Sequence, residues 1–286
     1  MNFDVLLVTY YKDKPEFLME AIRSVYDDQT MKPSGIVLVV NGPLHQSHEV
    51  VIRHWLLKLG EAVFKVIRLD KNHGLGHALN QGLAFCSSNW VARMDSDDIS
   101  LPQRFELQTQ FLQKYPEILL VGGAIQPFYT SESGEEIEQE SLRPLSYPAD
   151  SKAIKEFVCR GSPFAHPSVF IHKNLLLHYP YKSNLFHART GSSNEDIDLW
   201  FRLVQDKIPM ANIPEVVLKF RMTAHFFARR SVSKSLSEFR IYVNGILRLF
   251  GFSWRLFFPI SRLIMRLSPD FVSRMLYRWR NQIYRV

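Results

Sequence analysis

The hydrophobic positions in the first 125 residues alternate between two spacings. Short apolar runs rich in β-branched residues are separated by longer segments whose apolar residues recur every three or four positions. The short runs predict strands at Phe3–Thr9, Gly35–Val40, Val63–Leu69, Trp90–Met94 and Ile118–Ala124. The longer segments predict helices at Pro15–Tyr26, Gln46–Leu59, Leu75–Phe85 and Pro102–Lys114. This rhythm is typical of βαβ units and predicts an α/β fold with an open, mostly parallel central sheet flanked by helices.

The pattern changes further along the chain. Residues Thr130–Gln139 are polar and predict a surface loop or hairpin insert, whereas Ser151–Cys159 and Glu195–Gln205 have helical spacing. Beyond residue 220 the chain consists of helical segments rich in aromatic residues and arginines. We therefore expect an α/β domain over residues 1–222 and a helical C-terminal extension over residues 223–286.

The composition is that of a globular protein, with 46% hydrophobic and 22% charged residues in a chain of 286. The two cysteines, Cys86 and Cys159, are too few for a disulfide framework and are interpreted as free thiols in a reducing compartment. The sequence shows no signal-peptide pattern and no charge-free apolar run of about 18 residues. We expect a cytosolic protein, or one attached to the cytosolic face of a membrane.

The net charge of +7 is carried by the C-terminal part of the chain. Residues 219–286 hold 14 of the 35 Lys and Arg residues but only two of the 28 Asp and Glu residues. Arg248, Arg255 and Arg262 follow one another at seven-residue intervals between aromatic and aliphatic residues, and Pro259 is expected to break or kink this segment. A basic face opposite an apolar face predicts an amphipathic extension on an anionic membrane surface. The alternative is that these helices pack on the α/β domain. A nucleic-acid partner is not expected, because no recognised nucleic-acid module accompanies the charge.

Polar residues follow several of the predicted strands, at Thr9–Tyr11, Asn41–Pro43, Asp70–Asn72 and Asp95–Asp98. In open α/β sheets, ligands bind beyond the carboxyl ends of the strands. A turn explains each segment taken singly. Their occurrence at one edge of the sheet favours a binding crevice.

The sequence Asp95-Ser96-Asp97-Asp98 places three carboxylates within four residues at the end of a core strand. Asp95 and Asp97 are separated by one residue, so in an extended chain they point to the same side. Oxygen ligands of this kind suit Mg²⁺ or Mn²⁺, which bind a few carboxylates together with substrate phosphates. The alternative is an acidic turn in which Asp98 caps the helix that begins near Pro102.

Two further segments carry candidate chemistry. Asn72–Gly82 is glycine-rich and opens a helix, where backbone N–H groups attract a phosphate, although a tight turn explains it equally well. It contains Gly74 and His77 and is not a Walker loop. Glu195 and Asp196 begin a helix, where acidic residues complement the helix dipole next to a capping Asn194. The functional interpretation is that one carboxylate acts as a general base.

Six short motifs occur in one order along the chain: Val8–Tyr11, Val40–Pro43, Asn72–Gly82, Asp95–Asp98, His166–Ser168 and Asn194–Asp196. Together they resemble the family 2 glycosyltransferases, whose GT-A fold has a Rossmann-like, mostly parallel sheet. The resemblance covers about residues 3–222. Within that family the chain is most similar to bacterial enzymes of O-antigen or capsular polysaccharide synthesis.

The resemblance implies an inverting transfer in which Asp95 and Asp97 bind the metal that holds the donor diphosphate. Asp196 matches the general base, with Glu195 supporting it. The implied donor-binding residues are Thr9, Tyr11, Asn41, Asn72, Gly74, His77, Asp95, Ser96, Asp97, Arg221, Arg229 and Arg230. The implied acceptor region contains His166 and Trp200.

Two residues depart from the family pattern. Asn41 stands where many relatives have an acidic residue, so selectivity for a base N–H donor is weaker. His77 stands where Lys or Arg is frequent, so its contact with a diphosphate would depend on pH.

We expect an enzyme that transfers a galactose- or glucose-type hexose from a UDP-sugar to a polyprenyl-diphosphate-linked saccharide, at the cytoplasmic face of the bacterial inner membrane. A nucleotidyltransferase that makes an activated sugar is a second hypothesis. The glycine-rich segment with a basic residue that such enzymes place after the first strand is absent, because the chain reads Thr9-Tyr-Tyr-Lys-Asp-Lys-Pro15. A non-catalytic, membrane-surface protein that binds sugar nucleotides is a third.

Overall fold

The computed structural model describes residues 1–130, 136–137, 142–182, 194–223 and 232–267. Within these ranges the strands are β1 (Phe3–Thr9), β2 (Gly35–Asn41), β3 (Phe64–Leu69), β4 (Trp90–Asp95), β5 (Ile99–Ser100), β6 (Leu120–Thr130), β7 (Glu136–Ile137), β8 (Phe170–His172) and β9 (Met210–Thr223). The α-helices are α1 (Pro15–Val25), α2 (Gln46–Leu59), α3 (Leu75–Leu83), α4 (Arg104–Lys114), α5 (Ser151–Phe157), α6 (Lys173–His178), α7 (Glu195–Gln205), α8 (Val232–Phe250) and α9 (Phe257–Leu267). The predicted α/β fold is confirmed.

All nine of these strands belong to one sheet. Its order is β3-β2-β1-β4-β8-β6-β9-β5, and β7 pairs with β6. Strands β3, β2, β1 and β4 are parallel and form the predicted βαβ part. Strand β8 runs antiparallel to both β4 and β6, whereas β6 and β9 are parallel to each other.

The C-terminal half of the sheet differs from the prediction in detail. Strand β6 continues to Thr130, beyond the predicted end at Ala124, because it pairs along its whole length with β9. Strands β8 and β9 were not predicted, since their pairing partners lie far away in sequence. Helix α4 begins at Arg104, so Pro102 precedes the helix and does not occupy its first turn.

Each face of the sheet buries its own hydrophobic core. Along β1, Leu6 points into the core shared with α3 and α7, whereas Val5 and Leu7 point into the core shared with α1 and α2. Successive side chains of a strand point to opposite faces, so a strand covered by helices on both sides is apolar throughout. This explains why β1 and β2 read as continuous apolar runs.

Helix α8 packs against α7. Ile241, Tyr242 and Ile246 are buried in the same core as α7, and the Tyr242 ring meets the Phe201 ring edge-on at 5.6 Å. Gly245 allows this approach, because a Cβ at that position would overlap the Phe201 ring. The first helix of the C-terminal extension is therefore joined to the α/β domain, and the predicted boundary at residue 222 stays a prediction.

Pro259 does not break a helix as expected. It lies in the first turn of α9, where its missing N–H costs little. The break falls earlier, at Gly251–Ser253, before a 3₁₀ turn at Trp254–Leu256. Among the described helices none combines the length and the apolar character needed to cross a bilayer.

We expect Gly245→Ala to lower the free energy of unfolding by about 1–3 kcal/mol, because the added methyl group must push α8 away from Phe201. This loss should exceed the gain of up to about 1 kcal/mol in helix propensity. Chemical denaturation measures the change. Asn244→Ala, at the adjacent exposed position, is the matched control and should be neutral or slightly stabilising. Equal stability of the two variants would contradict the packing of α8 on α7.

Candidate active site

The carboxyl ends of the parallel strands meet at one edge of the sheet, as the sequence predicted. Thr9 ends β1, Asn41 ends β2 and Asp95 ends β4. The register pairs Thr9 with Val40 and Val8 with Asp95, so these chain ends are neighbours. Ligands of open α/β sheets bind beyond this edge. The candidate site is therefore built around the side chains that these strands present there.

Three carboxylates crowd together directly after β4. Asp95, Asp97 and Asp98 each place one carboxylate oxygen within 4.8 Å of the others. Burial, followed by the charges of Asp95 and Asp13, raises the pKa of Asp97 to about 7. Burial and then the charges of Asp97 and Asp95 raise the pKa of Asp98 well above its usual value. A cation between these oxygens would relieve the repulsion.

The cluster fits a divalent cation such as Mg²⁺ or Mn²⁺, which prefers carboxylate oxygens. Asp95 and Asp97 are half-buried, so they remain accessible to a ligand. Asp98 is 1% exposed, and its Oδ1 accepts a hydrogen bond from the Arg221 N–H at 2.8 Å. Its Oδ2 is buried without a hydrogen-bond partner among the described residues. The alternative role of Asp98 as a helix cap is not observed, because α4 begins six residues later at Arg104.

A buried arginine that the sequence reasoning missed pairs with the first of these carboxylates. Arg93 is 4% exposed, and its guanidinium forms an ion pair with Asp95. Burial disfavours the charged form, but the charge and hydrogen bond of Asp95 raise the pKa of Arg93 above its usual value. The positive charge of Arg93 also opposes the rise in the pKa values of Glu195 and Asp196. A charged residue inside the apolar run Trp90–Met94 was the available signal.

Asp13 was also missed, and it ties the loop after β1 to the acidic cluster. Its Oδ2 accepts hydrogen bonds from Ser96 Oγ at 2.7 Å, from Thr9 Oγ1 at 3.1 Å and from the Tyr10 N–H at 3.1 Å. Burial raises the pKa of Asp13 to about 6, although these three donors oppose the rise. The hydroxyls of Thr9 and Ser96, expected at the donor, are thus bound to a protein carboxylate.

The side chains of Asn41 and Asn72 hold the loop after β3. Asn41 Nδ2 donates to Asn72 Oδ1 at 3.1 Å, and Asn41 Oδ1 accepts from the His73 N–H at 3.0 Å. The Gly74 N–H donates to Asn72 Oδ1 at 2.9 Å, and Gly74 has a φ of 87° at the start of α3. Asn41 is 4% exposed, so its amide is committed to this loop. Asn41 thus positions the loop after β3, and its expected contact with a base stays a prediction.

Tyr11 and His77 remain accessible. Tyr11 is 46% exposed, and its ring meets that of His45 edge-on at 6.4 Å. His77 is half-buried on the first turn of α3, with its ring 4.7 Å from that of His73. The expected contacts of Tyr11 with the donor and of His77 with a diphosphate are sterically open and stay predictions.

Glu195 and Asp196 form the first turn of α7. Asn194 precedes them with a left-handed φ of 91°, and its side chain makes no capping hydrogen bond. Glu195 is 3% exposed, and its Oε2 has no hydrogen-bond partner among the described residues. Burial and then the charge of Asp196 raise the pKa of Glu195 to about 7. Asp196 is half-buried, and burial raises its pKa while the Ile197 N–H opposes the rise.

The start of α7 lies against the start of α3. A Cβ at Gly76 would lie 3.5 Å from Glu195 Cβ and 3.2 Å from Tyr181 Cβ, so only a small residue fits between them. The Asn80 amide fixes the same junction, because its Nδ2 donates to the Tyr181 carbonyl at 2.7 Å and its Oδ1 accepts from the Tyr181 N–H at 3.0 Å. The glycine-rich segment and the second carboxylate motif are thereby brought together.

His166 and Trp200, the two residues expected in the acceptor region, differ in their exposure. His166 Nε2 hydrogen-bonds with the Tyr181 hydroxyl at 2.9 Å, and burial followed by the charge of Arg93 lowers the pKa of His166 well below its usual value. The neutral, half-buried His166 remains a candidate for the acceptor region. Trp200 is fully buried, with its Nε1 donating to Ser162 Oγ at 3.2 Å, so it supports the core and does not face an acceptor.

Arg221 is committed to protein contacts. Its Nε donates to the Asp97 carbonyl at 2.6 Å and its Nη2 to Glu20 Oε2 at 2.5 Å. Its guanidinium lies 3.9 Å from the centre of the Phe17 ring, and its side chain is 2% exposed. Arg221 therefore fixes the backbone of the acidic loop, and its buried guanidinium is not free for the donor contact that the resemblance implied. Arg229 and Arg230 lie outside the described residues, and their contacts stay predictions.

We expect Glu195→Gln to stabilise the protein relative to the wild type as the pH rises. The folded pKa of about 7 lies above the ordinary value of 4.5, so the wild type loses stability between those pH values while the amide does not. The difference in the free energy of unfolding should grow by roughly 2–3 kcal/mol between about pH 5 and pH 8. Denaturation at several pH values measures it. Glu117→Gln, at an exposed position, is the control. A difference independent of pH would contradict the buried, unpaired state of Glu195.

Comparisons with other proteins identify the family. The model of the family described as Glycosyl transferase family 2 matches residues 4–171. The amylovoran biosynthesis glycosyltransferase AmsE from Erwinia amylovora is 35% identical over 280 residues, which cover 96% of this chain and 97% of that protein. The Escherichia coli enzyme named UDP-Gal:alpha-D-GlcNAc-diphosphoundecaprenol beta-1,3-galactosyltransferase is 27% identical and is matched over 97% of this chain and 95% of its own.

Solved structures agree with this assignment. The mannosyltransferase PcManGT from Pyrobaculum calidifontis, in complex with GDP-Man and Mn²⁺, superposes with a TM-score of 0.60 at 13% identity. The match covers 98% of this chain and 80% of that one. At this identity the likeness shows the fold alone. The chain belongs to glycosyl transferase family 2 and has the GT-A fold that its motifs implied.

Proposed function

We propose that this glycosyltransferase is an inverting, metal-dependent hexosyltransferase. It moves a galactose- or glucose-type hexose from a UDP-sugar to a polyprenyl-diphosphate-linked saccharide during the synthesis of a bacterial surface polysaccharide. The observation that carries the proposal is the pairing of two acidic centres, Asp95 and Asp97 after β4 and Asp196 at the start of α7. Burial is the main cause of the raised pKa of Asp196, and the charge of Asp95 adds to it.

The relatives support the choice of substrates. AmsE is named for the biosynthesis of the polysaccharide amylovoran, and the E. coli relative is named for UDP-Gal as donor and for a diphosphoundecaprenol-linked GlcNAc as acceptor. Both matches extend over nearly the whole of each chain. Because the acceptor class is lipid-linked, we place the enzyme at the cytoplasmic face of the inner membrane as a peripheral protein.

Asp95 and Asp97 are the residues that would hold Mg²⁺ or Mn²⁺, which supplies positive charge against the developing charge of a departing diphosphate. Arg93 keeps Asp95 in place from within the core, through the buried ion pair. Asp13 orients Ser96 between the two ligands, and Arg221 holds the carbonyl of Asp97. This end of the site therefore binds and orients the leaving group.

The other centre acts on the acceptor. In the proposed step, the acceptor hydroxyl oxygen bonds to the anomeric carbon while the bond from that carbon to the diphosphate oxygen breaks. The hydroxyl proton passes to a carboxylate oxygen of Asp196, and UDP leaves with the electron pair of the broken bond. Asp196 suits this role because it is half-buried, whereas Glu195 is buried beside Gly76 and supports the turn. Inversion follows from attack on the face opposite the diphosphate.

No specific observation favours either alternative function, the nucleotidyltransferase or the non-catalytic binding protein. For a nucleotidyltransferase, the loop after β1 would have to cradle a triphosphate. It contains no glycine, and its Tyr10 N–H is bound to Asp13. For a non-catalytic binding protein, nothing in the described site accounts for an accessible Asp196 next to a buried Glu195.

We expect Asp97→Ala to lower the rate of hexose transfer at least about 100-fold, because the metal loses a ligand where negative charge develops. Metal-dependent binding of UDP should weaken in parallel. The fold should persist, since removing a crowded carboxylate relieves repulsion. Transfer assays, calorimetry and thermal melting measure the three properties. Asp28→Ala, on the surface in a partly exposed ion pair with Arg23, is the control. Near-normal turnover by Asp97→Ala would overturn the metal-dependent mechanism.

We expect Asp196→Asn to lose transfer by about 10²–10⁴-fold, because an amide cannot take the acceptor proton. Binding of the UDP-sugar, measured by calorimetry, should stay unchanged, since the donor contacts lie at the ends of the strands. Asp198→Asn is the matched control: it lies on the same helix but forms ion pairs with Arg202 and Lys182. Retained transfer by Asp196→Asn would remove that residue from its proposed role.

A further inference from the structure

Three arginines of the C-terminal segment form ion pairs with acidic residues of the protein. Arg262 and Arg266 of α9 both form ion pairs with Glu238 of α8, which is 5% exposed. Arg255 Nη2 donates to Glu156 Oε2 of α5 at 2.5 Å. These pairs join α9 to α8, and they join the 3₁₀ turn before α9 to α5. Glu156 and Glu238 are partners that a single helical pattern does not reveal, and the contact of the basic residues with an anionic membrane stays a prediction.

The apolar face of the same segment points outward. Its large side chains have exposed fractions between 45% and 95%: Phe252, Trp254, Phe257, Ile260, Ile264 and Leu267. We call this set the α9 apolar face. Residues three, four and seven positions apart lie on one side of a helix, so the α9 members of the set form one stripe, which the exposed ring of Phe252 extends.

This arrangement departs from that of an ordinary surface helix. A helix of a soluble domain buries its apolar stripe and exposes its charges, whereas α9 pairs Arg262 and Arg266 with the buried Glu238 and leaves its apolar stripe exposed. Contiguous apolar surface of this kind marks an interaction site. The ion pairs fix the orientation of α9, because a rotation that buried its apolar stripe would break both ion pairs of Glu238.

We propose that the α9 apolar face inserts into the interface of a lipid bilayer. The inference rests on the proposed function in one respect, since a polyprenyl-linked acceptor requires the active site to stand at a membrane. The surface itself supports a bilayer as the occupant. Aromatic and aliphatic side chains next to arginines are typical of helices that lie in the membrane interface.

The sequence that follows α9 favours the same occupant. Residues 268–286 follow α9 in the sequence and hold four arginines against a single acidic residue, Asp270. Charge of this sign complements anionic headgroups beside the inserted side chains. Insertion of the α9 apolar face contributes a hydrophobic term to the free energy of membrane binding, and salt does not screen this term. The basic residues contribute an electrostatic term, which salt screens.

The test uses the full chain and vesicles of two compositions, phosphatidylcholine alone and phosphatidylcholine with phosphatidylglycerol. We expect the wild type to bind both in a sedimentation assay and to stay bound to the neutral vesicles at about 1 M salt. The double variant Phe252→Ser/Phe257→Ser should bind both at least about tenfold more weakly. Its melting temperature should not change, because both rings are exposed. Leu57→Ser, which removes an 81% exposed side chain from α2, is the matched control and should bind as the wild type does.

Two results would overturn the inference. Binding of the wild type only to anionic vesicles, and its loss at high salt, would assign the contact to basic residues. Concentration-dependent dimers in sedimentation velocity, lost in the double variant without any vesicle binding, would assign the apolar face to a second copy of the chain. Transfer to a short-chain, water-soluble acceptor separates this inference from the proposed function. The double variant should retain that activity, whereas its absence in the wild type would count against the function alone.

Discussion

The crowding of carboxylates at the carboxyl end of β4 is the constraint on which the active site depends. Asp95, Asp97 and Asp98 repel one another in a partly buried place, and that repulsion is largest in the absence of a cation. Two arginines hold them together. The buried guanidinium of Arg93 forms an ion pair with Asp95, and Arg221 donates hydrogen bonds to Asp98 and to the Asp97 carbonyl. The loop is thereby preorganised for a cation. Folding already brings the oxygens together, so the free energy of cation binding does not include that cost.

The same constraint links the donor end of the site to the acceptor end. Arg93 forms the ion pair with Asp95 and also opposes the rise in the pKa values of Glu195 and Asp196, so one buried charge acts on carboxylates that are a hundred positions apart in the chain. The close contact at Gly76 places the first turn of α7 against that of α3. One acidic centre is thus held at the end of β4 and in the loop that follows it, and the other is held on the first turn of α7.

Buried ion pairs recur in the C-terminal helices with a different consequence. At the active site they hold like charges in place for a ligand. Between α8 and α9 they hold a helix with its charged side inward through Glu238, Arg262 and Arg266. In both places an arginine is paired with a carboxylate of the protein. Beside the second group of pairs, the aromatic side chains of Phe252 and Phe257 remain exposed.

The sequence by itself determined the parallel half of the sheet, the helices that cover it and the positions of its acidic motifs, because local hydrophobic periodicity and strand ends are written in contiguous residues. It did not determine strands β8 and β9, whose pairing is between distant segments. Nor did it assign the partners of charged side chains. Arg221 was expected at the donor and lies behind Asp97, and Trp200 was expected at the acceptor and lies in the core. The arginines of α9 form ion pairs with Glu238. Tertiary structure decided these roles, because the free energy of a charged side chain depends on which opposite charge the fold places beside it. The hydrophobic periodicity of a segment does not indicate that partner, which lies far away in the sequence.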